Sequence, residues 1–387
     1  MCARIGYFLA FQPASRGKST TMSHTITRRQ ACLSIPAAAA FAVHAARPAR
    51  AAGTPLAADI AASRKESHLE IYSNVGTLNW EIIVKAFNRK YPWIRVEALD
   101  IGPEEAFERY YAESASGHHS ADVIVAASPT SWLRFVGKGE LMPVESAEGA
   151  QLPAWSKPFP GLYTFSTDPL ILVYNKMMLP PNEQPQSLAQ LAQFVTSDPG
   201  RFRDRITTYD ATSHPFALAA HWTYAHLRGW SLLDVLGPAT RPESASGSMV
   251  EKITTGEYSA GYFVSGTSTF VRTLQTAARD KLLGWSLMKD GTLVFARGIG
   301  IPKRAVSTAS ARLFLEYVLS HEGQVTIGQG GLTPYRPDVK TSEVPYLTYD
   351  SIAAQIGEKN VMPILYDRAL VTEENAFLAR WKKVYGM

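Results

Sequence analysis

Four short stretches of the sequence gather hydroxyl, amide and glycine residues where an apolar run gives way to a helical pattern. They are Ser73-Asn74-Val75-Gly76-Thr77, Ala127-Ser128-Pro129-Thr130, Thr212-Ser213-His214-Pro215 and Ser265-Gly266-Thr267-Ser268. Such turns have two uses. Their hydroxyls cap the helix that follows, each stabilising it by roughly 0.5–2 kcal/mol. The free N–H groups and partial positive charge of a helix N-terminus also attract anions. In open α/β sheets ligands lie beyond the carboxyl ends of the strands, so these turns define a candidate ligand site. The residues selected from them are Ser73, Asn74, Ser128, Thr212, Ser213, Ser265, Gly266 and Thr267. Two carboxylates join the set: Asp168, ahead of Pro169 and an apolar strand, and Asp210, which follows Ile206-Thr207-Thr208-Tyr209. Either suits a ligand hydroxyl or ammonium group, and equally a hinge or turn hydrogen bond. Tyr209, Tyr262 and Trp285 are aromatic candidates, although aromatics at strand ends more often fill cores.

Signals for catalysis and metal binding are weaker. His118-His119 sits in a Ser/Gly-rich stretch without other ligands at suitable spacing, and reads as a solvated loop. His321-Glu322 lacks the second histidine of a His-Glu-x-x-His zinc site. His214, His221 and His226 lie on or near one helix; the last two are five apart, a poor spacing for a shared face. Gly266-Thr267-Ser268-Thr269 departs from a nucleophile elbow at its last glycine. Phosphate-loop and dinucleotide fingerprints do not occur. No catalytic residue, metal ligand or cofactor is therefore expected.

The elements that would position the candidate residues alternate β-branched runs with amphipathic helices, the pattern of a parallel sheet with crossover helices. Leu69–Tyr72 reads as a first strand. Helix 79–90 follows, with Trp80, Ile83, Val84 and Phe87 on one face. Strand 94–99, helix 104–114 and the continuous apolar strand 123–127 come next. Ser128-Pro129 opens another helix, Ser as cap and Pro at the first helical position. After a Pro- and aromatic-rich loop (143–165) come strand 170–174, strand 206–209, helices 215–227 and 248–255, strand 259–264 and helix 268–278. Strands at 293–295 and 298–301, helix 308–320, and helices near 347–357 and 372–384 complete the pattern. These elements divide into two α/β lobes, the chain crossing near 165–172 and again near 288–298. Lobe 1 takes 68–167 and about 292–387, lobe 2 takes 168–291, and 52–67 is a lead-in.

Composition places this architecture in a compartment. The 387 residues are 46% apolar and 19% charged, which excludes a disordered or fibrous chain. The net charge of +5 is local. Residues 1–51 hold Arg4, Arg16, Lys18, Arg28, Arg29, Arg47 and Arg50 with no acidic residue, and the remainder has 32 basic against 34 acidic side chains, a net of −2. Thr27-Arg28-Arg29-Gln30, the alanine-rich run 31–46 and Ala49-Arg50-Ala51 form a twin-arginine-like export signal over 22–51, cleaved near Ala51. Residues 1–21 read as an over-long start. Both cysteines, Cys2 and Cys32, fall in the segment expected to be removed, so the exported chain has no thiol nucleophile and no disulfide. A periplasmic monomer of slightly acidic charge is expected, with no nucleic-acid partner.

In order, five blocks resemble the extracellular solute-binding proteins of bacterial ABC importers, in the branch of ferric-ion, phosphonate and sugar-phosphate binders. The first is strand 69–73 with its helix and residues 91–99. The second is 120–144, with Ala121-Asp122-Val123 and Gly139-Glu140-Leu141-Met142-Pro143. The third, 166–179, resembles the hinge-strand block ending in Tyr174-Asn175, and the fourth is 254–266. The last, 310–339, resembles the helix followed by Ser-x-Glu-Gly-Gln and a Pro-x-Arg-Pro loop. The resemblance implies a two-lobed type II periplasmic-binding fold with a ligand cleft between lobes, hinge closure around a small solute, and delivery to an inner-membrane permease. Ferric-binding members use adjacent tyrosines in the second lobe, whereas the matching stretch here reads Ser265-Gly266-Thr267. Tyr110-Tyr111 lies in a first-lobe helix and does not match. The expected ligand is therefore a small anionic or zwitterionic organic solute, phosphonate- or sugar-phosphate-like. A periplasmic sensor subunit and an exported hydrolase on the same architecture are the alternatives. No arginine of the cleft is identifiable at this level.

Overall fold

A computed structural model describes residues 55–66, 68–275, 281–364 and 366–387, beginning with helix α1 (Pro55–Ser63). The export signal and over-long start expected over 1–51 lie outside the described residues, and Gly53–Met387 is one compact unit. In the lead-in after α1, the Glu66 carboxylate accepts from the backbone N–H of Ala309 at 2.9 Å and of Ser310 at 2.7 Å. It thereby caps a helix far along the chain. Two βαβ crossovers follow: β1 (Leu69–Ser73), α2 (Thr77–Lys90), β2 (Val96–Asp100), α3 (Glu105–Ser116) and β3 (Val123–Ala126), then α4 (Pro129–Gly137). Trp80, Ile83 and Phe87 of α2 are buried against β1, as their helical spacing requires.

The chain next forms β4 (Tyr163–Asn175), then α5 (Leu188–Ser197), α6 (Pro199–Phe202), β5 (Ile206–Tyr209), α7 (Pro215–Arg228), α8 (Ser231–Leu236), β6 (Thr240–Glu243), α9 (Ser246–Thr254), β7 (Ala260–Ser265) and α10 (Gly266–Gln275). After β8 (Leu283–Ser286), β9 (Thr292–Gly300) returns. The chain closes with α11 (Thr308–Leu319), α12 (His321–Gln329), α13 (Tyr349–Ile356), β10 (Val361–Ile364), α14 (Ala369–Thr372) and α15 (Glu374–Tyr385). Among the described residues, no helix is long and apolar enough to cross a membrane.

Strand order is β2-β1-β3-β9-β4-β7-β5-β6, with β10 beside β9 and β8 beside β4. Parallel pairs flank an antiparallel centre: β3 with β9, β9 with β4, and β4 with β7. The first half of β4, Tyr163 to Pro169, pairs with β9, and its second half with β7 and β8. One strand thus belongs to both halves of a two-lobed α/β fold. β4 has 13 residues, all buried, so it starts well before the expected strand 170–174. Its early polar residues Thr164, Ser166, Thr167 and Asp168 fall outside the expected strand because the partners that bury them are distant in the chain. β9 likewise fuses the two short strands expected at 293–295 and 298–301 across Arg297.

Separate clusters of buried residues form around the two halves of β4. Leu69, Ile71, Trp80, Phe87, Phe314 and Leu319 belong to the first half's core. The second core gathers Leu172, Ile206, Phe263 and Val264, together with Ile352, Ile364, Phe377 and Trp381. The segment from about 347 onward was expected with lobe 1. Ile352, Ile364, Phe377 and Trp381 nevertheless belong to the second core, where β10 and α15 pack on α7, α15 also on β6, and α13 on β10.

Candidate functional site

Where β4 and β9 cross between the two halves, their register sets Ser166 opposite Arg297 and Asp168 opposite Phe295. All four side chains therefore leave the same face of the pair, and the long arginine reaches its diagonal neighbour. Arg297 is 5% exposed and Asp168 2%. Their nearest charged atoms, Arg297 Nη2 and Asp168 Oδ2, are 3.9 Å apart. Arg297 Nη1 donates to Asn74 Oδ1 at 2.6 Å and to the Asn74 carbonyl at 3.3 Å. Arg297 Nε is buried and has no hydrogen-bond partner among the described residues.

Asp168 receives the complementary set. Its Oδ2 accepts from the Ser265 hydroxyl at 2.6 Å and its Oδ1 from the Thr267 N–H at 3.0 Å. Burial pushes the Asp168 carboxyl upward, with Arg297, Ser265 and Thr267 opposing it. Burial likewise pulls the Arg297 guanidinium down against Asp168. Two charges removed from water persist where hydrogen bonds satisfy both, which is the case here on the carboxylate side and only partly on the guanidinium side.

Five of the ten candidate residues meet in this cluster: Asn74, Asp168, Ser265, Gly266 and Thr267. Gly266 opens α10 in contact with β4, since a Cβ there would lie 2.8 Å from the Pro169 carbonyl oxygen. β7 delivers the turn through an irregularity. Its register against β4 shifts between Ile171 and Val173, and Phe263 adopts φ 57°, rare for a bulky residue. One expectation changes here. The positive end of α10, which the sequence offers to an anionic solute, already holds the internal carboxylate of Asp168.

The other five have local partners. Ser73 Oγ accepts from Trp80 Nε1 at 2.7 Å and from the Val75 N–H at 3.3 Å. Ser128 caps α4, accepting from the Ser131 N–H at 3.4 Å. Asp210 closes an Asx turn in which Oδ1 accepts from the Thr212 N–H at 2.8 Å and its hydroxyl at 2.7 Å. Ser213 donates to the Asp210 carbonyl at 2.7 Å, and Thr212 and Ser213 are exposed. The cap of α7 is His214, whose Nδ1 accepts from the Ala217 N–H at 3.2 Å. Of the aromatics, Tyr209 is buried, and burial together with the Asp168 charge raises its phenol while Arg297 opposes them. Tyr262 hydrogen-bonds Tyr385 at 2.7 Å in the second core, and Trp285 packs edge-on to Phe270.

Sequence reasoning missed Arg297 and Tyr366. Tyr366 donates to the Ala296 carbonyl at 3.1 Å and, like Tyr209, feels the Arg297 charge. For Arg297 a signal existed: a lone arginine inside an apolar run must find a partner if both faces of the strand are buried. For Tyr366 there was none.

The sequence profile of the bacterial extracellular solute-binding proteins matches residues 77–325. Comparison with curated protein sequences finds no match. Among solved structures, the substrate-binding protein of an ABC transporter from Agrobacterium tumefaciens superposes with a TM-score of 0.72 at 22% identity, covering 84% of this chain and 96% of that one. Iron-bound HitA from Pseudomonas aeruginosa gives 0.64 at 18% identity, over 82% and 99%. The periplasmic binding protein AfuA from Actinobacillus pleuropneumoniae, with exogenous fructose-6-phosphate bound, gives 0.63 at 19%, over 83% and 99%.

Proposed function

Because the chain belongs to the bacterial extracellular solute-binding proteins, we propose that it is the periplasmic capture component of an ABC importer. It takes a small anionic or zwitterionic organic solute between its halves and delivers it to a membrane permease without chemical change. The observation that carries the ligand class is Arg297, a buried cation at the crossing of β4 and β9 with Nε unpartnered among the described residues. A phosphonate, phosphate ester or carboxylate supplies the acceptors that this guanidinium lacks, in the fork geometry arginine favours.

Organophosphates are preferred over ferric ion on the same chemistry. Iron(III) favours phenolate ligands, whereas burial pushes both Tyr209 and Tyr366 further from ionisation. The Asp168 carboxylate is engaged by Ser265, Thr267 and Arg297, and a guanidinium repels a trivalent cation. One solved neighbour carries a sugar phosphate and another carries iron, so the fold alone decides nothing.

A thermal-shift panel of phosphonates, sugar phosphates, amino acids and ferric citrate tests the reading. A true ligand at 100 times its Kd adds roughly 2.7 kcal/mol of stability. Arg297→Lys, which retains charge and loses the fork, is expected to weaken binding by about tenfold or more. A shift with ferric citrate and none with organic anions overturns the ligand class, as does full affinity in Arg297→Lys.

A further inference from the structure

His68 and Glu70 are two residues apart at the start of β1, so their side chains leave the same face of the strand. β3 runs parallel to β1 with Ile71 level with Val123, and this register brings the segment leading into β3 alongside. His119 of that segment sets its Nε2 3.3 Å from Glu70 Oε2, while His68 Nε2 lies 3.9 Å from the same oxygen. One ligand atom from each of the three residues falls within 4.8 Å of the others. In sequence His118-His119 has no partners at metal-ligand spacing; the fold supplies them from a strand some fifty residues earlier.

We propose that His68, Glu70 and His119 form a zinc site. Zn–N and Zn–O bonds of about 2.0–2.2 Å in a tetrahedron place neighbouring ligand atoms roughly 3.3–3.5 Å apart. The Glu70–His119 pair already has that separation. The His68 ring is 31% exposed and lies edge-on to His119 with ring centres 5.2 Å apart, so zinc binding requires its ring to shift. Two imidazoles and one carboxylate are borderline ligands suited to zinc, with solvent at the open fourth position.

Behind the three stands Asp122, 0% exposed, with Oδ2 3.9 Å from His119 Nε2. It also accepts from the Glu70 N–H at 3.1 Å and from the N–H groups of Val306 and Ser307 at 2.8 Å. This carboxylate thus ties the ligand strand to the start of α11 and adds negative charge beside the site. Arg109 pairs with Glu113 at 2.8 Å and its charge also reaches Glu70, so zinc competes with this guanidinium for the carboxylate. The site stands at the opposite end of β1 from Asn74, about 13–20 Å of strand away. It would pin the α3–β3 connection without touching the solute.

Isothermal titration of the purified protein with zinc chloride is expected to show one zinc per chain and a rise in melting temperature. His68→Ala and His119→Gln should each weaken zinc at least about tenfold, while His118→Ala leaves it unchanged. His118 is the proper comparison because its Nδ1 lies 2.7 Å from Ser116 Oγ, outside the triad. Circular dichroism of each variant verifies the fold. The absence of saturable zinc binding overturns the proposal. So does wild-type affinity in either triad variant, or an equal loss in His118→Ala.

Discussion

His221 shows most directly how a single side chain couples this fold to pH. It lies in α7 at 0% exposure, with Nε2 2.9 Å from the Tyr209 carbonyl, and burial depresses its pKa to about 4. An unfolded histidine titrates near 6.5, so between those values the unfolded chain binds a proton that the native state refuses. Stability from this group is complete above about pH 6.5 and is lost as pH falls to about 4, roughly 3 kcal/mol in all. Urea unfolding midpoints should therefore drop between neutral pH and about pH 4.5, and His221→Phe should flatten that slope. An unchanged slope in the variant would assign the acid sensitivity to other groups. Sequence spacing alone gave His221 no partner on a shared helix face. The depth of burial that gives it this role depends on Phe263, Trp381 and Tyr385, whose rings lie around it.

Helix α10 joins a locally encoded start to a distant carboxylate. Its hydroxyl-glycine start was legible in the sequence because caps and turns are local, and Ser265, Gly266 and Thr267 do meet Asp168. The absence of a side chain at Gly266 lets the helix approach β4. Gly266→Ala would set a Cβ 2.8 Å from the Pro169 carbonyl and 3.0 Å from Pro169 Cγ. Overpacking of this kind costs about 1–3 kcal/mol. Here it would also push Thr267 away from Asp168, so solute affinity should fall together with the melting temperature. Gly137→Ala makes the comparison: a Cβ there meets nothing within 4 Å, and the change should be neutral or slightly stabilising. Equal effects of the two substitutions would refute the close-contact account. The same local logic failed at α7, where the expected serine cap is His214, because a ring nitrogen in the right rotamer serves as acceptor.

At the scale of the molecule, the C-terminal segment seals the second core. Trp381 is 0% exposed and stacks on Tyr385 with ring centres 4.3 Å apart at 18°. Trp381→Ala should cost about 3–5 kcal/mol, and hydrogen exchange should quicken in α7 and β6 first. Quickening confined to β1 and α2 would return this segment to the other lobe. The sequence by itself determined the succession of βα units, most strand and helix positions in the first lobe, and the family resemblance, since periodicity, caps and turns act over a few residues. It also marked Asn74, Asp168 and the 265–267 turn. Only the tertiary structure decided which of those groups meet and which donors are already engaged. The contacts responsible span 97 residues from Asp168 to Ser265 and 223 from Asn74 to Arg297. Local pattern carries no information over such separations. An arginine between two apolar strands, and two histidines fifty residues apart, acquire their chemistry only when strand register brings their partners alongside.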